Sequence, residues 1–324
     1  EEKTWPSIRS NTLETGDSDA VVNYSSGTGT TALTFNYTVG AGHVSADLDY
    51  ETTSSLALNS GSIKDTALNV ATLTLASPGA AGSLGANKAL IIDSTILTIS
   101  ITSTTSGVTD GSSTSDSSIE LTFTASDSTS DFTKEDITVT NGTLSSFTGN
   151  GTSYNATFTP TATGACTIDV AAATFTDVDS NDNSAASQFN WTYDNVGPTV
   201  TNVTSTIPDG AYGKPCEFQI NVAFSEVINV TGTPQITLET GSTDGVGNYE
   251  SGTGTNTLTF YYIVADGHTS SDLDYVDSSS LALNSGTIKD AASNDATLTL
   301  ASPGAAGSLG ANKALVVDTT PPTI

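Results

Sequence analysis

The sequence predicts an all-β chain, a row of antiparallel β-sandwiches laid end to end in an elongated array. Three observations carry that prediction. Apolar residues alternate with polar ones in short runs that recur about every 8–12 residues, the rhythm of strands and turns in sandwich domains. Of 324 residues, 57 are Thr and 43 are Ser, which suits strands with hydroxyl-rich outer faces. Residues 13–93 also align with 238–318 at a constant offset of 225, with 59 of 81 positions identical, the mark of a duplicated module.

The elements follow in order. Residues 1–93 form a first unit, which turns at Gly27-Thr-Gly29 and carries a block from Leu58 to Asp65 that returns at 283–290. Residues 94–196 form a unit of a second type. There Ile119, Leu121, Phe123 and Ala125 alternate with polar neighbours, as do Ala156 and Phe158, and then Phe189, Trp191 and Tyr193. Residues 197–324 return to the first type, with a strand at Thr257–Tyr262 after the turn Glu250–Gly254. The segment Pro-Gly-Ala-Ala-Gly-Ser-Leu-Gly, at 78–85 and 303–310, predicts a structured loop before a last strand from Lys313 to Val317. No long amphipathic helix is expected. Junctions are short, and Pro198 and Pro321 stiffen them by fixing φ. About 40 residues precede Leu238 in the third unit, but only 12 precede the equivalent Leu13. The first unit is therefore expected to lack about two strands, being either truncated or completed by strands from another chain.

Composition excludes several functions. With 8 Lys+Arg against 35 Asp+Glu the net charge is −27, which repels phosphate backbones, so no nucleic-acid partner is expected. No apolar run approaches the ~18 residues of a membrane span. There is no Met and no signal-peptide pattern, so the sequence reads as a mature or trimmed product. Two cysteines make no disulfide framework. Cys166 alternates with Ile168 and Val170, and Cys216 with Phe218 and Ile220, so both are expected as free thiols facing two separate cores.

Particular motifs resemble a known family. Val222-Ala-Phe-Ser-Glu226, Gly232-Thr-Pro-Gln-Ile-Thr-Leu238 and Gly286-Thr-Ile-Lys-Asp290 are similar to the bacterial Ig-like repeats of large surface proteins and adhesins. Ile119-Glu-Leu-Thr-Phe123, Asp136-Ile-Thr-Val139 and Ala171–Phe175 followed by Thr-Asp resemble another such repeat, of the biofilm-associated array kind. The resemblance implies tandem Ig-like sandwiches at a cell surface. It does not imply a binding partner, because such repeats serve as spacers in many proteins.

Chemistry is sought first in the acids, of which 25 are Asp and 10 Glu. Thr176-Asp-Val-Asp-Ser-Asn-Asp-Asn183 places Asp177, Asp179, Asn181 and Asp182 in one turn, where oxygen side chains can wrap Ca²⁺; the alternative is an Asx-rich turn without metal. The family resemblance implies an Asp-x-Ala-Gly-Asn type of turn here. Asp290, Asn294 and Asp295 keep a version, and Asp65 with Asn69 a weaker one. Asp194 and Asp318, at unit ends, are expected to complete junction sites. Asp47/Asp49 and Asp272/Asp274 are expected as caps or turn residues. No catalytic residue is assigned. The two histidines, His43 and His268, are one repeat position, no Gly-x-Ser-x-Gly elbow occurs, and Gly27-Thr-Gly29 sits in a hairpin rather than before a helix. The expectation is a non-enzymatic, extracellular stalk or fibre segment of a surface adhesin, stiffened by Ca²⁺, whose partners are neighbouring repeats or copies of itself. The alternatives are a filament subunit built by strand donation, or a module binding a polysaccharide or protein ligand.

Overall fold

The computed structural model describes residues 9–323. The chain is all-β, with two single-turn α-helices and one 3-10 turn, Lys134–Asp136, among the described residues, as the alternating apolar rows require.

In the first unit, β1 (Ser10–Leu13), β2 (Ala20–Ser26) and β3 (Thr34–Phe35) make a three-stranded sheet in that order. Opposite them β4 (Val44–Ser45) pairs with β5 (Ile92–Asp93), and α1 (Leu84–Asn87) precedes β5. The middle unit has β6 (Ile99–Ser103), β7 (Ser113–Thr114), β8 (Ile119–Thr129), β9 (Ile137–Thr140), β10 (Gly142–Pro160), β11 (Gly164–Val170) and β12 (Phe189–Tyr193). Its two sheets run β10-β8-β6 and β7-β12-β11-β9. The third unit continues with β13 (Val200–Ser205), β14 (Gly210–Tyr212), β15 (Glu217–Thr231), β16 (Gln235–Leu238), β17 (Gly245–Ser251) and β18 (Thr255–Ile263). It ends with β19 (Thr269–Ser270), β20 (Leu281–Ala282), β21 (Thr287–Lys289), α2 (Leu309–Asn312) and β22 (Leu315–Asp318). Here the sheets run β13-β15-β18-β17-β16-β20, with β21 also on β15, and β14-β22-β19.

Three separate apolar cores result. The middle core gathers Ile119, Leu121 and Phe123 of β8, Ala156 and Phe158 of β10 and Trp191 of β12, all at most 2% exposed. The third core stacks Phe218, Ile220, Val222 and Phe224 of β15 against Leu258, Phe260 and Tyr262 of β18. Twenty side chains are buried in each of these two cores. In the first unit only Leu13, Val22, Leu48 and Tyr50 are, because it has no counterpart of β13, β14 or β15 among the described residues.

Both cysteines are free, Cys166 fully buried. Burial pushes the Cys166 thiol above its ordinary value, so it stays protonated and inert. Cys216 departs from the expectation of a core-facing thiol: it lies one residue before β15 and is half-buried at the rim of the core. The segment at 78–85 and 303–310 is a loop that closes into a helical turn, capped by Ser83 or Ser308. Asp49 and Asp274 organise it. Asp49 accepts from the N–H groups of Tyr50, Gly79 and Leu84 at 2.9, 2.9 and 3.1 Å, and Asp274 from those of Tyr275 and Gly304, each at 2.9 Å. Burial works to raise the Asp49 carboxyl, but these bonds to the ionised form win and hold it below its usual range.

Candidate metal centre

One local motif recurs three times. In Asp65–Asn69, Asp177–Asn181 and Asp290–Asn294, the Asn backbone N–H donates to the Asp Oδ1 at 2.8 Å. The Asn Nδ2 donates to Oδ2 at 2.8, 2.9 and 2.8 Å in the same three loops. The fourth residue of each loop is left-handed, Leu68, Ser180 or Ser293, with φ of 67°, 70° and 71°. Antiparallel bridges, Lys64↔Val70, Thr176↔Asp182 and Lys289↔Asp295, close each hairpin tip. These are Asx-type turns that saturate one carboxylate from within.

At residues 177–183 the hydrogen bonds follow the Asx-rich turn, one of the two readings of this segment. Asp177 is buried and accepts from Asn181 and from the Asp179 N–H, while Asn181 serves as a donor. Asp179 and Asp182 point outward as exposed residues. In the third unit Asp295 is likewise exposed and pairs with Lys289 at 2.6 Å. Asp318 is exposed, its Oδ1 accepting the Thr320 N–H at 2.8 Å.

Two of the expected residues do meet. Asp194 and Asp290 lie with Glu226 so that one carboxylate oxygen from each falls within 4.8 Å of the others, the one such group of three among the described residues. Three elements bring them there. Asp194 follows β12 at the end of the middle unit, and its Oδ1 accepts the Val196 N–H at 3.0 Å, curling the connector. Asp290 follows β21. Glu226 sits in the register break of β15: the strand pairs with β18 up to Ala223, slips, meets β18 again at Ile228 opposite Thr255, and pairs with β21 from Asn229 to Thr231. Such an irregularity re-aims side chains, and it turns Glu226 toward the end of β21.

The connector is fastened to the third unit. Asn294 Nδ2 donates to the Asp194 carbonyl at 2.8 Å and the Thr297 N–H to the Pro198 carbonyl at 2.7 Å. Gly197 is required between them, because a Cβ there would meet the Asp295 carbonyl oxygen at 2.3 Å. Gly197→Ala should therefore cost about 1–3 kcal/mol and loosen the junction; a calorimetric melt unchanged from wild type would refute this.

The junction between the first two units has the same parts without the convergence. Asp93, Asp127 and Asp177 stand where Asp194, Glu226 and Asp290 stand, judged by the matching Ser126 and Ser225 hydroxyls that receive the Thr98 and Thr199 N–H groups. Ile96, 68% exposed, takes the place of Gly197. Asn181 bonds only within its own loop, so nothing clamps Asp93 as Asn294 clamps Asp194.

The three carboxylates stand close enough to repel one another. Burial first, and then the charges of Asp290 and Asp194, raise the Glu226 carboxyl above its ordinary value. The donor set fits a hard cation: oxygens bound to one Ca²⁺ at 2.3–2.6 Å lie at most about 5 Å apart, and three carboxylates offer up to six oxygens. Glu226 escaped a linear reading because it lies within an apolar strand pattern, 32 residues from Asp194 and 64 from Asp290. Its signal was the charged residue interrupting the alternation after Phe224.

The histidines have structural partners. His43 Nδ1 lies 2.7 Å from the Tyr37 hydroxyl and His268 Nδ1 2.7 Å from that of Tyr262. No helix is long and apolar enough to cross a membrane among the described residues. No curated protein matches the chain. Residues 93–193, which hold the whole middle core, match the family model of the bacterial Ig-like domain, and the paired sheets agree with an Ig-like β-sandwich.

Proposed function

We propose that this chain is a non-enzymatic segment of an extracellular stalk or fibre of a bacterial surface adhesin, an array of Ig-like units whose second junction is locked by Ca²⁺. The bacterial Ig-like match over residues 93–193 supports a structural or adhesive surface module. The observation that carries the finer reading is the meeting of Asp194, Glu226 and Asp290, contributed from both sides of a junction. A cation held by all three ties the end of the middle unit to two strands of the third and limits bending between them. It also offsets part of the −27 charge that the chain carries. The commitment of both histidines to tyrosine hydroxyls favours a structural over a catalytic role.

The test compares thermal unfolding in EDTA with unfolding in about 10 mM CaCl₂. Extracellular calcium modules bind at about 10⁻⁴–10⁻³ M, so a gain of about 1.4–2.7 kcal/mol, several degrees in midpoint, is expected. No shift would sink the calcium reading. Glu226→Gln separates this site from general screening. In EDTA at neutral pH the variant should be more stable than wild type, since it removes one of three repelling charges, and it should lose most of the calcium gain. The pH dependence has a definite sign. A carboxyl raised in the folded state binds its proton more tightly there, so stability falls as pH rises from the ordinary Glu value through the raised one. In EDTA, wild type should therefore gain on Glu226→Gln as pH is lowered from 7 toward about 5.

A further inference from the structure

The tripeptide Asn-Gly-Thr occurs twice, at 141–143 and 150–152, and these are the two Asn-Gly steps of the chain. An Asn followed by Gly carries a reaction within itself. The Gly nitrogen can attack the carbonyl carbon of the Asn side chain, because no Cβ on the Gly stands in the way. The same two residues follow each Asn, so the surroundings decide where that happens.

At Asn141 the fold opposes the reaction. The residue turns the chain from β9 into β10 with a left-handed φ of 56°. Its Nδ2 donates to the Ala162 carbonyl at 2.7 Å and to the Cys166 Sγ at 3.5 Å, so swinging the amide toward Gly142 forfeits both bonds. Its own carbonyl accepts the Thr161 N–H at 3.0 Å. Gly142 is closed in as well: a Cβ there would run into the Phe158 ring and the Thr159 carbonyl.

Asn150 stands in the opposite setting. β10 doubles back on itself at 149–151, with Phe147 stacked on Tyr154 at 5.7 Å between ring centroids and the Ser145 hydroxyl donating to the Thr157 carbonyl at 3.4 Å. Gly149, at φ 136°, is required because the returning Ser153 carbonyl comes too close for a Cβ. Asn150 is exposed, and its side chain makes no hydrogen bond to another described residue. Gly151, at φ 63°, is open: a Cβ there would meet only the Ser128 hydroxyl, at 3.6 Å. No side-chain bond has to break for the Asn150 amide to swing over the Gly151 nitrogen.

We propose that Asn150-Gly151 is a self-modification site, at which the folded chain deamidates in water. The Gly151 nitrogen bonds to Asn150 Cγ, and its proton passes through solvent to the departing amide. The Cγ–Nδ2 bond breaks, Nδ2 leaves as ammonia, and a succinimide ring closes. Water then opens the ring at either carbonyl and leaves Asp or isoaspartate at 150. Water is the only co-reactant, and no oxidation occurs. The product adds a negative charge to a chain already at −27. It does so beside Thr129, which pairs with Gly151 and bridges to Asp177, so acid gathers at the end of the middle unit that faces the first. This inference is independent of the cation at the second junction.

The test holds the folded chain in mildly alkaline buffer at physiological temperature and follows its digestion fragments by mass. Cleavage after Phe147 and Tyr154 puts Asn141 and Asn150 in separate fragments. The fragment with Asn150 should convert at least about tenfold faster, since Asn141 reacts only through local opening of its hydrogen bonds. Part of the product at 150 should resist a protease that cuts at Asp, the signature of isoaspartate. In urea the two fragments should convert at similar rates, which separates the effect of the fold from that of the sequence. Asn150→Gln lies at an exposed position, so the chain should fold as before, and it should abolish the acidic shift of the intact chain on ion exchange. Equal rates in the folded chain would overturn the proposal, as would conversion of Asn150 seen only in urea or a ratio that urea leaves unchanged.

Discussion

Phe260→Ala should cost about 3–5 kcal/mol, whereas the same substitution at the equivalent Phe35 should cost only about 1–2 kcal/mol. The two residues occupy one position of the repeat, so propensity and local sequence are nearly matched and only the surroundings differ. Phe260 is fully buried, between Ile220 of β15 and Tyr249 of β17 across its sheet. Its removal leaves a cavity that closely packed neighbours cannot fill. Phe35 is half-buried beside an open edge, so Ala there forfeits only part of a transfer free energy, and no closed cavity forms. Urea denaturation of both variants, followed by calorimetry to assign the affected transition, checks the contrast. Equal costs would mean that the first unit is as well packed as the third.

The second large effect is expected at Trp191. Its ring is 2% exposed and meets Phe158 edge-on at 4.7 Å between centroids, with Phe189 at 5.7 Å. Trp191→Ala should cost about 3–5 kcal/mol and remove the middle unit's transition at physiological temperature. Trp191→Phe should cost far less, about 1 kcal/mol. The indole Nε1 is buried with no hydrogen-bond partner, and an orphaned donor of that kind is itself worth about 1–3 kcal/mol of destabilisation. Removing it offsets much of the lost ring volume. If Phe proved as damaging as Ala, shape alone would govern the site.

Much of the fold was legible because strand physics is local. The alternation at Ile119–Ala125 and at Phe189–Tyr193 became β8 and β12 directly. The repeat was legible for the same reason: a constant offset carries β16 to β19 and β22 onto β1 to β5, although β20 and β21 have no strand counterpart at 56–57 and 62–64. The candidate site was legible only in part. Asp194 and Asp290 could be suspected because Asp at a unit end or hairpin tip has a recognisable neighbourhood. Glu226 could not, because its position depends on a register slip in β15 and on which strand comes to lie beside it. The turn at 177–183 is ambiguous in sequence for another reason. A cluster of Asp and Asn looks alike whether its oxygens converge on an ion or accept from backbone and side-chain N–H groups, and here Asn181, four residues on, donates to Asp177.

The pairing of first and last strands bears on how the chain carries load. The N-terminal segment of the middle unit ends in β7, parallel to β12, and that of the third ends in β14, parallel to β22. When the two ends of such a unit are pulled apart, parallel neighbours slide in opposite directions. All hydrogen bonds between them then resist together, in shear, instead of parting one at a time. The last strand of the first unit, β5, is held by the two residues of β4 in antiparallel array. Under tension the first unit should yield before the others.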